Sequence, residues 1–331
     1  MSNSVSVRSL RKQFGDTRAL DDVSLEIAEG ELFGFIGPDG AGKTTLFRIL
    51  VTLLRPDHGE ARVLGLDVVR DMWALRRRVG YMPGRFSLYP DLSVEENLRF
   101  FASVFGTTPE REHEHIAPIY DQIAPFKGRR AAALSGGMKQ KLALCCALVH
   151  RPEILFLDEP TTGIDAVSRR ELWDLLGRLR EQGMTVVVST PYMDEANRCD
   201  RVTLVQNGRI IALGRPSAIA ASLDRPLLAV RVSARHAALN ALRRFPHAHS
   251  VFPFGEVHHV TDQRRNVDPQ IIANEWQRYL VDAGFVDAEV TPAASTVEDV
   301  FIARMGAPSQ ADLLARRSFS EGGNGGVYRP S

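Results

Sequence analysis

The sequence predicts an α/β fold, and three short stretches carry the prediction. "ELFGFI" (31–36), "ILFL" (154–157) and "VVV" (186–188) are continuous, largely apolar runs, the pattern of strands buried on both faces. Each ends on small, polar or acidic residues, and a helix-like segment follows. The tips of such strands are where α/β proteins place their chemistry.

Bulk properties narrow the class. The 331 residues favour about two domains and are enough to bury a large core. With 44% hydrophobic and 24% charged residues, the chain matches an ordinary soluble protein. A net charge of +1 gives no bulk attraction to nucleic acid or an anionic membrane. Cys145, Cys146 and Cys199 are an odd, sparse set, which argues against a disulfide framework and fits a reducing cytosol. "MSNSVSVRSLRKQFGD" lacks the apolar core of a signal peptide. No run reaches the ~18 apolar residues of a membrane span. Work at a membrane would therefore require another chain as anchor.

In chain order, the first informative element is "ELFGFIGPDGAGKTTLFRILVTLL". Gly37, Pro38, Asp39, Gly40, Ala41, Gly42, Lys43 and Thr44, with Thr45 next, fit G-x-x-x-x-G-K-[ST] between a strand and a helix. Leu46, Ile49, Leu50, Leu53 and Leu54 recur at helical spacing. The glycines let backbone N–H groups approach phosphate oxygens. Lys43 supplies a point charge for the β- and γ-phosphates, and the Thr44 hydroxyl suits Mg²⁺. "YMPGR" (81–85) reads as a proline-glycine turn of type II. Ser93 and Glu96 form a capping-box pattern before the apolar "NLRFFASVF". Ser135, Gly136 and Gly137 open a further helix with bare N–H groups. Leu142, Cys145, Cys146 and Val149 form its core-facing stripe, so both cysteines read as core filler.

The strand 154–157 ends in Asp158-Glu159. Asp158 at a strand tip suits Mg²⁺ held through water, and Glu159 suits activation of a water attacking the γ-phosphate. Alone, Glu159 reads equally as a solvated strand cap; beside a phosphate loop it reads as catalytic. "VVVSTPYMDEA" ends its strand at Ser189-Thr190, and the inert Pro191 follows. "LVQNGRIIALG" is a hairpin turning at Asn207-Gly208. From about 226 the pattern alternates as β-α-β-β-α-β, the order of a small split βαβ, ferredoxin-like domain. His247, His249, His258 and His259 fall in its strand pair, with no cysteine or carboxylate set completing a metal site. Residues 306–331 are polar and glycine-rich and read as a disordered tail.

"LSGGMKQ", the phosphate loop, "LFLDEP" and "GID" together resemble the ATP-binding subunits of ABC transporters over roughly 5–220. "GPDGAGKTT", "GYMPGRFSLYPDLSVEENLRFF" and "STPYMDEA" are similar to the ABC-2-type exporters, such as bacterial drug-export ATPases. The resemblance implies a P-loop NTPase domain over 1–224. Residues 5–10, 20–28 and 60–65 would lie in an antiparallel β subdomain, and about 85–150 would form a helical subdomain facing a permease. A small α+β accessory domain would follow over 225–305. The resemblance also implies ATP and Mg²⁺ as cofactors and a head-to-tail dimer of two ATPase subunits, identical or different. Ser135, Gly136 and Gly137 would act in trans, Asp165 would lie at the dimer interface, and Phe14 would stack on adenine. The expected partner is an ABC-2-type transmembrane permease rather than nucleic acid. The expected location is the cytoplasmic side of the cell membrane, as a peripheral subunit.

Two positions depart from that pattern. The family usually has glutamine where Gly84 stands and histidine where Pro191 stands. The first contacts Mg²⁺ and the attacking water, and the second touches the γ-phosphate. Neither glycine nor proline offers a polar side chain. The expectation is good nucleotide binding with impaired hydrolysis. The alternative is a soluble ABC-type ATPase or an ATP-binding regulatory protein with little turnover. The long coiled coils of DNA-repair members and the doubled ATPase domains of translation-factor members are both absent from this sequence.

Overall fold

The computed structural model describes residues 3–85 and 87–305 and divides into two compact units, Met1–Ala220 and Ala221–Ser331. The expected disordered tail lies outside the described residues.

The first unit begins with β1 (Asn3–Phe14) and β2 (Thr17–Ala28), then β3 (Leu32–Ile36) and α1 (Lys43–Leu50). After them come β4 (His58–Val63), β5 (Leu66–Asp67), α2 (Met72–Arg76) and β6 (Val79–Met82). The helices α3 (Val94–Val104), α4 (His113–Tyr120) and α5 (Gly136–Leu148) form the expected helical stretch. β7 (Ile154–Asp158), α6 (Ala166–Glu181), β8 (Thr185–Thr190), β9 (Arg201–Gln206), β10 (Arg209–Gly214) and α7 (Pro216–Ala221) complete it. β2-β1-β4-β5 form an antiparallel sheet, the layer expected from the runs near 5–10, 20–28 and 60–65. The main sheet has the order β10-β9-β3-β8-β7-β6, parallel except for β10.

That order positions the chemistry. The strand before the phosphate loop, β3, and the strand before Asp158, β7, are not neighbours; β8 lies between them. All three strands are buried along their whole length, which is why their sequences read as continuous apolar runs rather than alternating ones. Phe35, Phe47 and Phe156 stack edge-to-face beneath the loop, with centroids 5.5 and 5.7 Å apart, and anchor α1 to the sheet. The expected caps form: Ser93 accepts from Glu96 N and Glu96 returns the bond, and Asn207-Gly208 turns β9 into β10 with φ of 48° and 73°. The acidic segment after β8 is a 3-10 helix, Met193–Arg198.

The second unit contains β11 (Leu227–Arg231), α8 (Arg235–Arg244), β12 (Ala248–Phe254), β13 (Val257–Asp262), α9 (Pro269–Asp282), β14 (Glu289–Pro292) and α10 (Val297–Met305). Its sheet runs β12-β13-β11-β14, all antiparallel. Trp276 is fully buried in its core and donates to Asp262 at 3.0 Å, which satisfies its ring N–H. α10 was not anticipated from "TVEDVFIARM"; it is held by burial of Val297, Val300 and Phe301 and by a buried pairing of Asp299 with His259 at 2.6 Å. His258 bonds the Arg235 carbonyl at 3.0 Å. Among the described residues, no group of three or more His, Cys, Asp or Glu is arranged to hold a metal.

Candidate functional site

The loop 37–42 leaves β3 and enters α1 through Gly40 at φ 79° and Gly42 at φ 105°. That left-handed backbone is costly for any residue with a Cβ. A Cβ on Gly42 would also meet the Ala19 carbonyl at 2.4 Å, and one on Gly37 would meet the Val205 carbonyl at 2.2 Å. These glycines are required by packing behind the loop as well as by its turn. Pro38, Asp39 and Gly40 form an exposed crest, while Ala41 and Lys43 are buried. Gly42 caps α1 without a side chain, and the first turn carries no acidic residue, so the helix end presents bare N–H groups with a positive dipole.

Lys43 is buried, yet its ammonium is fully partnered by acceptors. It donates to the Gly37 carbonyl at 2.7 Å and the Pro38 carbonyl at 3.0 Å, and it pairs with Glu159 at 3.3 Å. Thr44 Oγ1 donates to Asp158 Oδ1 at 3.1 Å. A hydroxyl and a carboxylate in contact are a hard-oxygen donor set that suits Mg²⁺ when phosphate oxygens and water complete the shell. The fold thus brings together the adjacent pair Lys43 and Thr44 with the adjacent pair Asp158 and Glu159, more than a hundred positions away in sequence. Glu159 itself stands at φ 51°, uncommon for a residue with a Cβ. Its N–H is held by both the Ser189 carbonyl and the Ser189 hydroxyl, each at 3.0 Å.

The two departing positions flank this cluster. Gly84 follows β6, and a Cβ there would lie 2.9 Å from the Asp158 carbonyl. The expected type II turn at Pro83-Gly84 does not form: it needs a positive φ at the glycine, and Gly84 has none. Glycine is accommodated there by close approach to β7, not by turn geometry. Pro191 follows Thr190, whose carbonyl accepts the Gly37 N–H at 3.2 Å, so it borders the start of the loop. The next residue does not replace the missing imidazole. The Tyr192 ring lies against the Arg169 guanidinium at 4.3 Å, turned towards α6.

A buried network behind Pro191 was missed in the sequence. Glu195 is 3% exposed and accepts from Thr161 at 3.1 Å, from Arg169 at 2.6 Å, and from Thr190. It ties β8, the turn after Glu159 and α6 to one carboxylate. "PYMDEA" contains two adjacent acids, and nothing in the sequence marks which one turns inward.

Ser135 caps α5, accepting from Met138 N at 3.3 Å, and is exposed with Gly136. A Cβ on Gly137 would strike Ser168 Oγ at 2.4 Å, so α5 packs closely on the start of α6. Asp165 caps α6, accepting from Val167 N and Ser168 N at 3.0 Å. Among the described residues, no hydrogen bond or ion pair joins Ser135, Gly136, Gly137 or Asp165 to Lys43 or Glu159. Phe14 ends β1, half exposed, with the Lys12 ammonium 5.4 Å from its ring centre. The three cysteines are buried, and desolvation pushes each thiol well above its ordinary range, which leaves them inert.

On the other side of β6 lies an apolar groove of about 550 Å³. Leu53, Trp73, Phe101, Val104, Phe105 and Cys146 line it, and Trp73 and Val104 are 70% and 62% exposed. Tyr81 lines it too. Burial, then the nearby Asp158 charge, push its phenol up to about 12, so the hydroxyl stays protonated.

Comparison with known proteins agrees with this geometry. Residues 20–162 match the family model described as ABC transporter. The chain is 44% identical over 214 residues to the probable multidrug ABC transporter ATP-binding protein YbhF of Escherichia coli, covering 64% of this chain and 37% of that one. It thus spans little more than a third of that relative's length. Over 307 residues it is 35% identical to the daunorubicin resistance ATP-binding protein DrrA3 of Streptomyces coeruleorubidus, covering 90% and 94% of the two chains. Among solved structures it resembles cbiO1 of Clostridium perfringens, part of the ABC transporter complex cbiONQ, with a TM-score of 0.60 at 27% identity over 67% of this chain and 92% of that one. It also resembles the ATP-binding cassette MJ0796 in a dimeric post-hydrolysis state bound to ADP and Pi, with a TM-score of 0.58 at 26% identity over 64% and 98%. A similarity that runs nearly end to end with the Streptomyces protein, on a fold that assembles the phosphate loop with Asp158 and Glu159, shows that the chain belongs to the ABC transporter ATP-binding proteins.

Proposed function

We propose that this chain is the ATPase subunit of an exporter, coupling ATP binding and hydrolysis to transport through a separate ABC-2-type permease at the cytoplasmic side of a membrane. Among the described residues no helix is long and apolar enough to cross a membrane. The observation that carries the reading is the contact of Lys43 with Glu159 beside that of Thr44 with Asp158.

From that geometry the chemistry follows. The loop N–H groups and Lys43 bind the β- and γ-phosphates, with Phe14 against the adenine. Thr44 and, through water, Asp158 would hold Mg²⁺, which when bound would neutralise charge developing on the phosphates. A γ-phosphate that takes the Lys43 ammonium frees the Glu159 carboxylate, which then accepts the proton of the attacking water. The second copy or a different ATPase subunit supplies Ser135, Gly136 and Gly137 in trans, with Asp165 at the interface. The exposure of Ser135, Gly136 and Asp165 supports this. Gly84 and Pro191 leave that chemistry without two polar groups, so hydrolysis on this chain's own loop is slow.

The apolar groove beside β6 is read as the docking site of an apolar-faced permease helix, because exposed Trp73 and Val104 otherwise face water. The unit after 220 is read as a split βαβ, ferredoxin-like accessory domain, supported by its sheet order. Its boundary at 220/221 lies four residues before the position expected from sequence. Phosphate release by the chain alone and with a co-expressed permease tests the function. We expect slow release alone and co-purification with the permease. Turnover near ~1–10 s⁻¹ by the unaided chain would refute impaired hydrolysis, and failure to associate with the permease would refute the exporter role.

A further inference from the structure

β8 contributes no polar side chain to the site at Pro191, yet it is the strand that separates the phosphate loop from Asp158. Its register sets Thr190 opposite Ile36 and Ser189 opposite Asp158. Ser189 ends the apolar β-branched run Val186 to Val188, at a position with no solvent exposure. A buried hydroxyl is unfavourable unless it is bonded, and a valine would extend the strand without that cost.

The partners of Ser189 are both functional. Its Oγ lies 2.6 Å from Asp158 Oδ1 and 3.0 Å from the Glu159 backbone N. Their chemistry fixes the direction of each bond. An ionised carboxylate cannot donate, so the single hydroxyl proton goes to Asp158; the backbone N–H must donate, so a Ser189 lone pair receives it. Asp158 Oδ1 also accepts from Thr44. A Thr44 oxygen that serves a cation would do so through a lone pair, so its proton stays available to Asp158 beside that of Ser189, and the two hydroxyls hold the same carboxylate oxygen from α1 and from β8. The same serine anchors the N–H of a residue held at φ 51°, whose carboxylate reaches Lys43.

We infer that Ser189 is a positioning residue for this ATPase site, using one hydroxyl to orient the Mg²⁺-facing carboxylate of Asp158 and to hold the backbone of Glu159. This rests on the roles assigned above to Asp158 and Glu159. The tip of β8 therefore acts on the site from position 189 rather than from 191.

The test uses the full chain as wild type, Ser189→Ala and Ser189→Thr. Affinity for a fluorescent ATP analogue is titrated against Mg²⁺, alongside kcat and KM for phosphate release and the melting midpoint. Loss of an outer-shell partner typically weakens metal affinity by about 10–100-fold. Ser189→Ala should accordingly raise the Mg²⁺ concentration for half-maximal nucleotide affinity by at least about tenfold. It should lower kcat by a similar factor, leaving affinity in EDTA and KM at saturating Mg²⁺ unchanged. Ser189→Thr, which keeps the hydroxyl, should restore both. An unchanged Mg²⁺ midpoint and kcat in Ser189→Ala would overturn the inference. So would a loss of EDTA affinity matching the loss in Mg²⁺, which marks a packing defect. If Ser189→Ala does not fold, Ser189→Cys replaces it with the same expectations, since a thiol is only a weak donor. Glu159→Gln in the same assays separates the two readings: retained turnover there would refute the site assignment itself.

Discussion

The tips of β3 and β7 and the tips of β6 and β8 belong to one sheet, yet they are furnished in opposite ways. At β3 and β7, Thr44 meets Asp158 at 3.1 Å and Lys43 meets Glu159 at 3.3 Å. At β6 and β8 stand Gly84 and Pro191, which have no polar side chain. On the function proposed above, the groups for phosphate and metal are complete, while those that would contact the γ-phosphate and the attacking water from the flanks are missing. Binding and turnover should then be separable in this molecule. The strand tips that look empty still take part through backbone and buried contacts: Gly84 lies against the Asp158 carbonyl, and Ser189 holds Asp158 and Glu159.

The largest effect should come from the furnished side. Glu159→Gln removes the proposed base and should lower phosphate release by about 10²–10⁴-fold, with ATP affinity retained. Size exclusion with and without ATP should then show a trapped dimer. A monomer under both conditions, with the natural partner subunit supplied, would break the sandwich model. Lys43→Ala should weaken MgATP binding by roughly 10–100-fold, the usual effect of losing a charge-assisted contact. Equilibrium titration with a fluorescent analogue reads this directly, and unchanged affinity would remove the loop from the site.

The flanking positions should give smaller changes. Pro191→His with Gly84→Gln should raise the isolated chain's hydrolysis by at least roughly tenfold, or about 1.4 kcal/mol of barrier. Most of that gain should come from position 191. A side chain at 84 presses on the Asp158 carbonyl, 2.9 Å from the would-be Cβ, so Gly84→Gln alone should bring no gain. Equal gains from the two single substitutions would show that the β6 tip moves freely. The smallest effect belongs to Pro191→Ala, which exchanges one apolar side chain for another. It should leave phosphate release within about twofold, the range of a neutral surface change. A larger change would mean that proline's rigidity matters at this position and that the contrast between the tips is not one of side-chain chemistry alone.

Local sequence determined a great deal. The loop from Gly37 to Thr44, the strand ending in Asp158-Glu159, the caps at Ser93 and Ser135 and the Asn207-Gly208 turn each depend on neighbouring residues, so pattern alone located them. The βαββαβ element order of the second unit was legible for the same reason. Whether Pro83-Gly84 formed a type II turn was not, because the approach of β7 decided it. Likewise, the tertiary structure alone decided that β8 runs between β3 and β7, which turns Ser189 from one more strand residue into a ligand of two others. It also selected Glu195 over Asp194 for burial against Thr161, Arg169 and Thr190, and paired His259 with Asp299 beneath α10. Hydrogen bonds between different elements depend on strand order and register, and those arise only when the apolar faces pack together.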